Sequence, residues 1–88
     1  MDVTYRIDKE ILYIAIEGRI DASNAAEAEE KIFSIKNDNP GKHTVVDADK
    51  LEYISSAGLR VILRLRKEEP KLAIINVASD VYEVFDMT

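Results

Sequence analysis

Three groups of side chains in this sequence are equipped for chemistry: the adjacent hydroxyls Ser55 and Ser56, the single histidine His43, and the carboxylates Asp47 and Asp49. A serine nucleophile needs a general base and a group that orients the base. His43 is the one imidazole in the chain, and it is predicted to open a strand at the opposite end of the sheet from Ser56. The run "SSAG" also lacks the G-x-S-x-G pattern of a nucleophile elbow. A phosphate-binding loop would need G-x-x-x-x-G-K-[ST], which is absent, and three glycines make no glycine-rich cradle. Asp47 and Asp49 stand beside a predicted loop, where acidic residues serve as solvated turn formers. With no cysteine, disulfides, thiolate metal sites and thiol catalysis are excluded. Each of these readings is weak, so the chain reads as a non-enzyme without a metal site.

One chemistry survives, the covalent modification of a serine hydroxyl by another protein. By residue type, Ser55 and Ser56 are first a helix cap and its neighbour. A helix N-terminus also suits a phosphate, because free backbone N–H groups and the positive end of the helix dipole stabilise it. A phosphate adds about −1.5 to −2 charge, which the fold tolerates there and a partner docked on the same spot does not. Ala57 and Gly58 follow, both small. Gly58 in a first helical turn costs about 1 kcal/mol against alanine. That cost predicts close approach by another backbone or a bulky partner.

The elements that position these residues follow from periodicity. "VTYRI" (Val3 to Ile7) and "ILYIAIE" (from Ile11) read as two strands of an antiparallel hairpin across Asp8, Lys9 and Glu10. The second is apolar at nearly every position, which predicts helices on both of its faces. Gly18 is predicted to break that strand, and Asp21 or Ser23 to cap a helix running to about Lys36. Ala25, Ala28, Ile32 and Ile35 form its apolar stripe. "HTVVDA" is a third strand, "DKLEYIS" a connection tacked down by Leu51 and Ile54, and Ser56 to Glu68 a second helix. "LAIINV" is a fourth strand, and a last helix is capped by Ser79 with Asp80 in its first turn.

The order is β-β-α-β-α-β-α, one α/β domain over residues 1–88 with a mixed four-stranded sheet. Parallel strands bring three stretches to one rim: Gly18 to Asp21, Asp47 to Ser56, and Val77 to Ser79. Binding sites of open α/β sheets lie at this rim. Asp21 and Ser56 are therefore expected to be neighbours. On the second helix Leu59, Val61, Ile62, Leu63 and Leu65 form a wide apolar stripe. Arg64 and Lys67 face solvent, while Arg60 stands in the first turn beside Ser56. Tyr82 and Phe85 are expected in the core.

The segment "DADKLEYISSAGLRVILRLRK" resembles the anti-sigma factor antagonist family, the STAS domains, in its acidic strand end and its small-residue S-S-x-G-L run before an amphipathic helix. "GRIDASNA" resembles the family's G-x-[IL]-D segment, and "INVASDVYEVFDMT" its closing strand and helix. The resemblance spans the chain in order. It implies that Ser56, two residues before Gly58-Leu59, is the phosphoacceptor, with Ser55 as second choice because many members carry aspartate there. It implies further that Asp21, Asp47, Ser55, Ala57, Gly58, Leu59 and Arg60 shape a surface docking on an anti-sigma factor that is also a serine kinase, and that ATP and Mg²⁺ belong to that kinase, so this chain needs no cofactor. Relatives continue beyond a point equivalent to "EVFDMT", which implies a shortened domain or a module of a longer chain.

Composition sets the outer bounds. Of 88 residues 47% are hydrophobic and 33% charged, the mixture of a globular domain. A net charge of −5 without a dense basic cluster argues against nucleic acid and anionic membrane as partners. The start "MDVTYRIDKE" is no signal peptide, and "ILYIAI" is too short to span a bilayer, so a cytoplasmic location is expected. The competing function is a STAS subunit that is never phosphorylated, a scaffold within a larger, transport-associated assembly.

Overall fold

The computed structural model describes the backbone of residues 1–86 and the side-chain environment of residues 1–82. β1 (Asp2–Asp8) and β2 (Ile11–Ile20) form the hairpin, α1 (Ala25–Asp38) follows, and β3 (His43–Asp47) returns to the sheet. A short strand β4 (Leu51–Ile54) leads into α2 (Ser56–Glu68), then β5 (Ala73–Ile75) and α3 (Ser79–Asp86). The strand order is β1-β2-β3-β5, antiparallel at the hairpin and parallel elsewhere, with β4 also parallel to β2. This is the expected mixed α/β architecture with one strand more than the sequence pattern gives.

The added strand explains Gly18. β1 occupies one edge of β2 over its first seven residues, and β3 occupies the other edge from Ile11 to Ala15. Beyond Ala15, β2 is free to pair with β4, from Gly18 to Ile20, across a register shift between Gly18 and Arg19. Gly18 takes φ +90°, a left-handed conformation in which side chains are strained, and donates its N–H to the Lys50 carbonyl at 2.9 Å. It is therefore a bulge inside β2 and does not end the strand. The strand runs on to Ile20 and carries the rim outward.

The core lies on one face of the sheet. Leu12, Ile14 and Ile16 of β2 are fully buried, whereas Tyr13, Ala15 and Glu17 between them are half-buried. Burying each such aliphatic side chain stabilises the fold by about 1.5–3 kcal/mol. Ala28 and Ile32 of α1, Val61, Ile62 and Leu65 of α2, and Val81 of α3 join them in one cluster. Among the described residues, helices thus cover one face of β2, not both. On the other face Arg6 lies over the Tyr13 ring, 3.8 Å from its centroid, and so covers part of that apolar surface. Leu63 (44% exposed) and Tyr82 (57% exposed) stand outside the core, contrary to the stripe expected from spacing. Phe85 lies outside the residues whose side chains are described.

α2 is seated through Gly58. A Cβ built there would stand 2.7 Å from Ile20 Cγ2 and 2.8 Å from Ile54 Cγ1, closer than packed carbon atoms approach. The helix start therefore rests directly on the ends of β2 and β4. Gly58→Ala is expected to destabilise the domain by about 1–2 kcal/mol, because overpacking outweighs the gain of about 1 kcal/mol in helix propensity. Urea unfolding of the two proteins measures the difference.

Candidate functional site

The rim is built by one backbone bond. The Ser55 N–H donates to the Ile20 carbonyl at 2.9 Å, where β4 passes into α2 and β2 passes into the turn of Asp21. This bond and the contact beneath Gly58 bring the start of α2 against residues 20 and 21. Asp21 and Ser56 consequently share a sheet margin although 35 positions separate them in sequence.

The two serines divide the work there. Ser55 is the N-cap of α2, with extended φ and ψ, and its Oγ accepts from the Gly58 N–H at 3.4 Å. Ser56 is the first helical residue and is exposed. Its hydroxyl therefore stands at the positive end of the α2 dipole, above the free N–H groups of the first turn. Ala57 is half-buried beside it, and Arg60, one turn on, is exposed. Gly58 and Leu59 are buried, so they support the rim from below. The cap assignment predicts different outcomes at the two positions. Ser55→Ala is expected to cost about 1 kcal/mol. Ser56→Ala should change stability by less than about 0.5 kcal/mol. Thermal unfolding followed by circular dichroism reads both.

Asp21 does not cap α1 from its side chain, and neither does Ser23. The helix begins at Ala25, and Asp21 instead closes a turn over residues 21–24. Its Oδ1 accepts from both the hydroxyl and the N–H of Ser23, its carbonyl accepts from the N–H groups of Asn24 and Ala25, and its own N–H donates to Asn24 Oδ1 at 3.0 Å. Asn24 completes the turn by donating Nδ2 to the Arg19 carbonyl at 2.9 Å. The Ser23 hydroxyl, then the Ser23 N–H, and then the charge of Arg19 hold the Asp21 carboxyl below the usual aspartate value of 3.8. A lowered folded value means that the ionised turn stabilises the fold above the unfolded pKa and loses this as pH falls through the folded one. NMR titration of Asp21 should show a midpoint below 3.8, moving up towards it in Ser23→Ala.

Asp47 is not at this rim. It pairs with Ala15, five residues back along β2 from Ile20, about 15 Å away along the strand. Its Oδ1 accepts from the Asp49 N–H and from Asn76 Nδ2, both at 3.1 Å, so it ties the turn after β3 to the end of β5. Asn76 takes a left-handed φ of +58° at that junction. β4 supplies the length that separates Asp47 from Ser56. His43 lies where the sequence puts it, at the start of β3. Its Nδ1 is 4.0 Å from Glu69 Oε1 at the far end of α2, a helix length of about 20 Å from Ser56.

Arg19 and Tyr53 also belong to this margin, though residue type and spacing do not mark them. β4 pairing places them opposite each other, with the guanidinium 4.3 Å from the ring centroid, and Tyr53 remains 40% exposed. Only knowledge of β4 would reveal the pair. The run D-A-S-N would have revealed the Asp21 turn, since aspartate and asparagine side chains bind backbone N–H groups a few residues away.

A protein-family model described as the STAS domain matches residues 2–88. The chain belongs to the STAS domain family. A Bordetella bronchiseptica protein named for anti-sigma factor antagonism, BtrV, is 32% identical to this STAS domain over 82 residues, covering 89% of the chain and 70% of BtrV. Among solved structures, a Thermotoga maritima protein named for anti-sigma factor antagonism superposes with a TM-score of 0.85 at 17% identity, over 97% of this chain and 76% of that one. The unphosphorylated form of the anti-sigma factor antagonist SpoIIAA gives 0.71 at 17% identity, over 99% and 84%. These two likenesses establish the fold of the STAS domain. No helix among the described residues is long and apolar enough to cross a membrane.

Proposed function

We propose that this STAS domain is a cytoplasmic anti-sigma factor antagonist, a protein-binding switch that docks on an anti-sigma factor with serine kinase activity. Ser56 is the phosphoacceptor. The observation that carries this reading is the division between the two hydroxyls: Ser55 is engaged as the cap and Ser56 stands exposed on the first turn. The name of BtrV and the unphosphorylated state specified for SpoIIAA support it.

The chemistry follows from what each side supplies. The kinase brings ATP, its metal ion and the base. Ser56 Oγ attacks the terminal phosphorus of ATP, the hydroxyl proton passes to the kinase, and ADP leaves. The domain contributes a hydroxyl whose helix is already seated, so little ordering entropy remains to be lost in the complex. The product phosphate lies over the first-turn N–H groups, with Arg60 one turn along the same helical face. Docking packs a partner against the small residues around Ser56, and no room remains there for a dianion. Burying it unpaired is costly, and the complex separates without any unfolding of the domain. Asp21, fixed and ionised at the same margin, gives the partner a stationary anionic contact, and Ala57 with Arg60 completes the surface.

Mass spectrometry after incubation with the kinase and ATP is expected to find one phosphate, absent in Ser56→Ala and retained in Ser55→Ala. Ser56→Asp should weaken partner binding at least about tenfold, or 1.4 kcal/mol. Phosphate persisting on Ser56→Ala would overturn the assignment. A stable partner indifferent to Ser56→Asp would point to a scaffold subunit instead.

A further inference from the structure

The outer edge of β1 is the least protected margin of the sheet. β1 pairs with β2 over all seven residues without a bulge, and among the described residues nothing pairs with its other side. Sheet edges are ordinarily blunted by shortness, proline, charged side chains (lysine above all) or bulges. β5, at the opposite edge, is three residues long. β1, with the sequence DVTYRID, is seven residues long and has no proline, lysine or bulge; its charges, Asp2, Arg6 and Asp8, are of both signs and so can pair across the edge as well as guard it. Tyr5 and Ile7 also remain 52% and 44% exposed on the helix-covered face.

We propose that β1 pairs antiparallel with β1 of a second copy of this chain, about a two-fold axis through Thr4. Charge and the length of the paired stretch together select the register. With the axis at Thr4, Asp2 faces Arg6 twice, Val3 faces Tyr5 twice and Thr4 faces itself. Opposite charges and β-branched with aromatic pairs are favourable directly across strands. With the axis one residue later, Asp2 faces Asp8 twice; one later again, Arg6 faces itself. An axis at Val3 leaves Arg6 without the aspartate. An axis at Ile7 also sets Arg6 against Asp8 twice, but it keeps only three residues of each β1 paired, where the Thr4 axis keeps five; among registers that keep the helix-covered faces together, the Thr4 axis joins attractive charge pairs, no repulsive one and the longer ladder. Arg6 is already held on that outer face by the Tyr13 ring, on the side to which Asp2 projects. Tyr5 of the second copy, opposite Val3, reaches the groove between β1 and α1, a cavity of about 350 Å³ lined in part by Val3, Lys31 and Ile35.

The test uses the whole chain. Sedimentation velocity should show a concentration-dependent dimer, weakened about tenfold or more by Asp2→Arg, because each repulsion is counted twice across the axis. The swap Asp2→Arg with Arg6→Asp should restore it. Asp2→Arg leaves Arg6 on Tyr13 and so carries the test even if Arg6→Asp alone fails to fold. The chain has no cysteine, so a single one reports the register. Thr4→Cys should form an intermolecular disulfide on mild oxidation, since directly opposed residues have the required Cα spacing, and Tyr5→Cys should form far less. A monomer up to about 1 mM would overturn the proposal. So would a dimer that Thr4→Cys does not cross-link, or one that the charge swap fails to restore.

Discussion

Gly58 is where the helix carrying the two serines touches the sheet with nothing in between. Ile20 and Ile54 come so close to its Cα that a methyl group has no place. The Ser55 N–H, bound to the Ile20 carbonyl, fixes the same junction from the backbone side. One contact and one hydrogen bond thus decide where α2 begins, which way its first turn faces and which residue of β2 lies next to it. The identities of Ser55, Ser56 and Asp21 acquire meaning only because this junction does not slide.

From that junction the roles separate by simple geometry. The residue before the helix has extended backbone and turns its hydroxyl back to cap it. The next residue has helical backbone and turns its hydroxyl out. Asp21, one step past Ile20, is held by Ser23 and Asn24 in a turn that keeps its carboxylate ionised. The rim is a preformed surface with a defined hydroxyl, a defined anion and small residues between. Such a surface can be altered by adding charge at one atom while the core under it, from Leu12 to Leu65, stays as it was.

Much of this was legible in the residues. The hairpin announces itself by two strand-forming runs either side of Asp8, Lys9 and Glu10, β3 by its short β-branched run, and α2 by a serine before an amphipathic run; the structure shortens the hairpin turn to Lys9 and Glu10. The anomalous glycine at 58 foretold a close approach, and the close approach is with Ile20 and Ile54. β4 was not legible, because Leu51–Ile54 alternates poorly, with both ends buried and both middle residues exposed. It is a strand only because β2 has an unpaired stretch beyond Ala15, a fact of tertiary structure. Missing β4 carries two errors with it: Gly18 reads as a stop when it is a bulge, and Asp47 reads as a rim residue when it sits about five residues down the sheet. Leu63 and Tyr82 were misplaced for a different reason. Spacing identifies a stripe, but the width of the stripe that is covered depends on neighbours that spacing does not describe.

The junction itself can be observed directly in solution. In a nuclear Overhauser spectrum of the unmodified domain, the α-protons of Gly58 should give strong cross-peaks to the γ2 methyl of Ile20. Strong cross-peaks would place the helix start on the end of β2, as the account requires. Their absence in a folded sample would mean that α2 is seated elsewhere, and the shared margin of Ser56 and Asp21 would be lost with it.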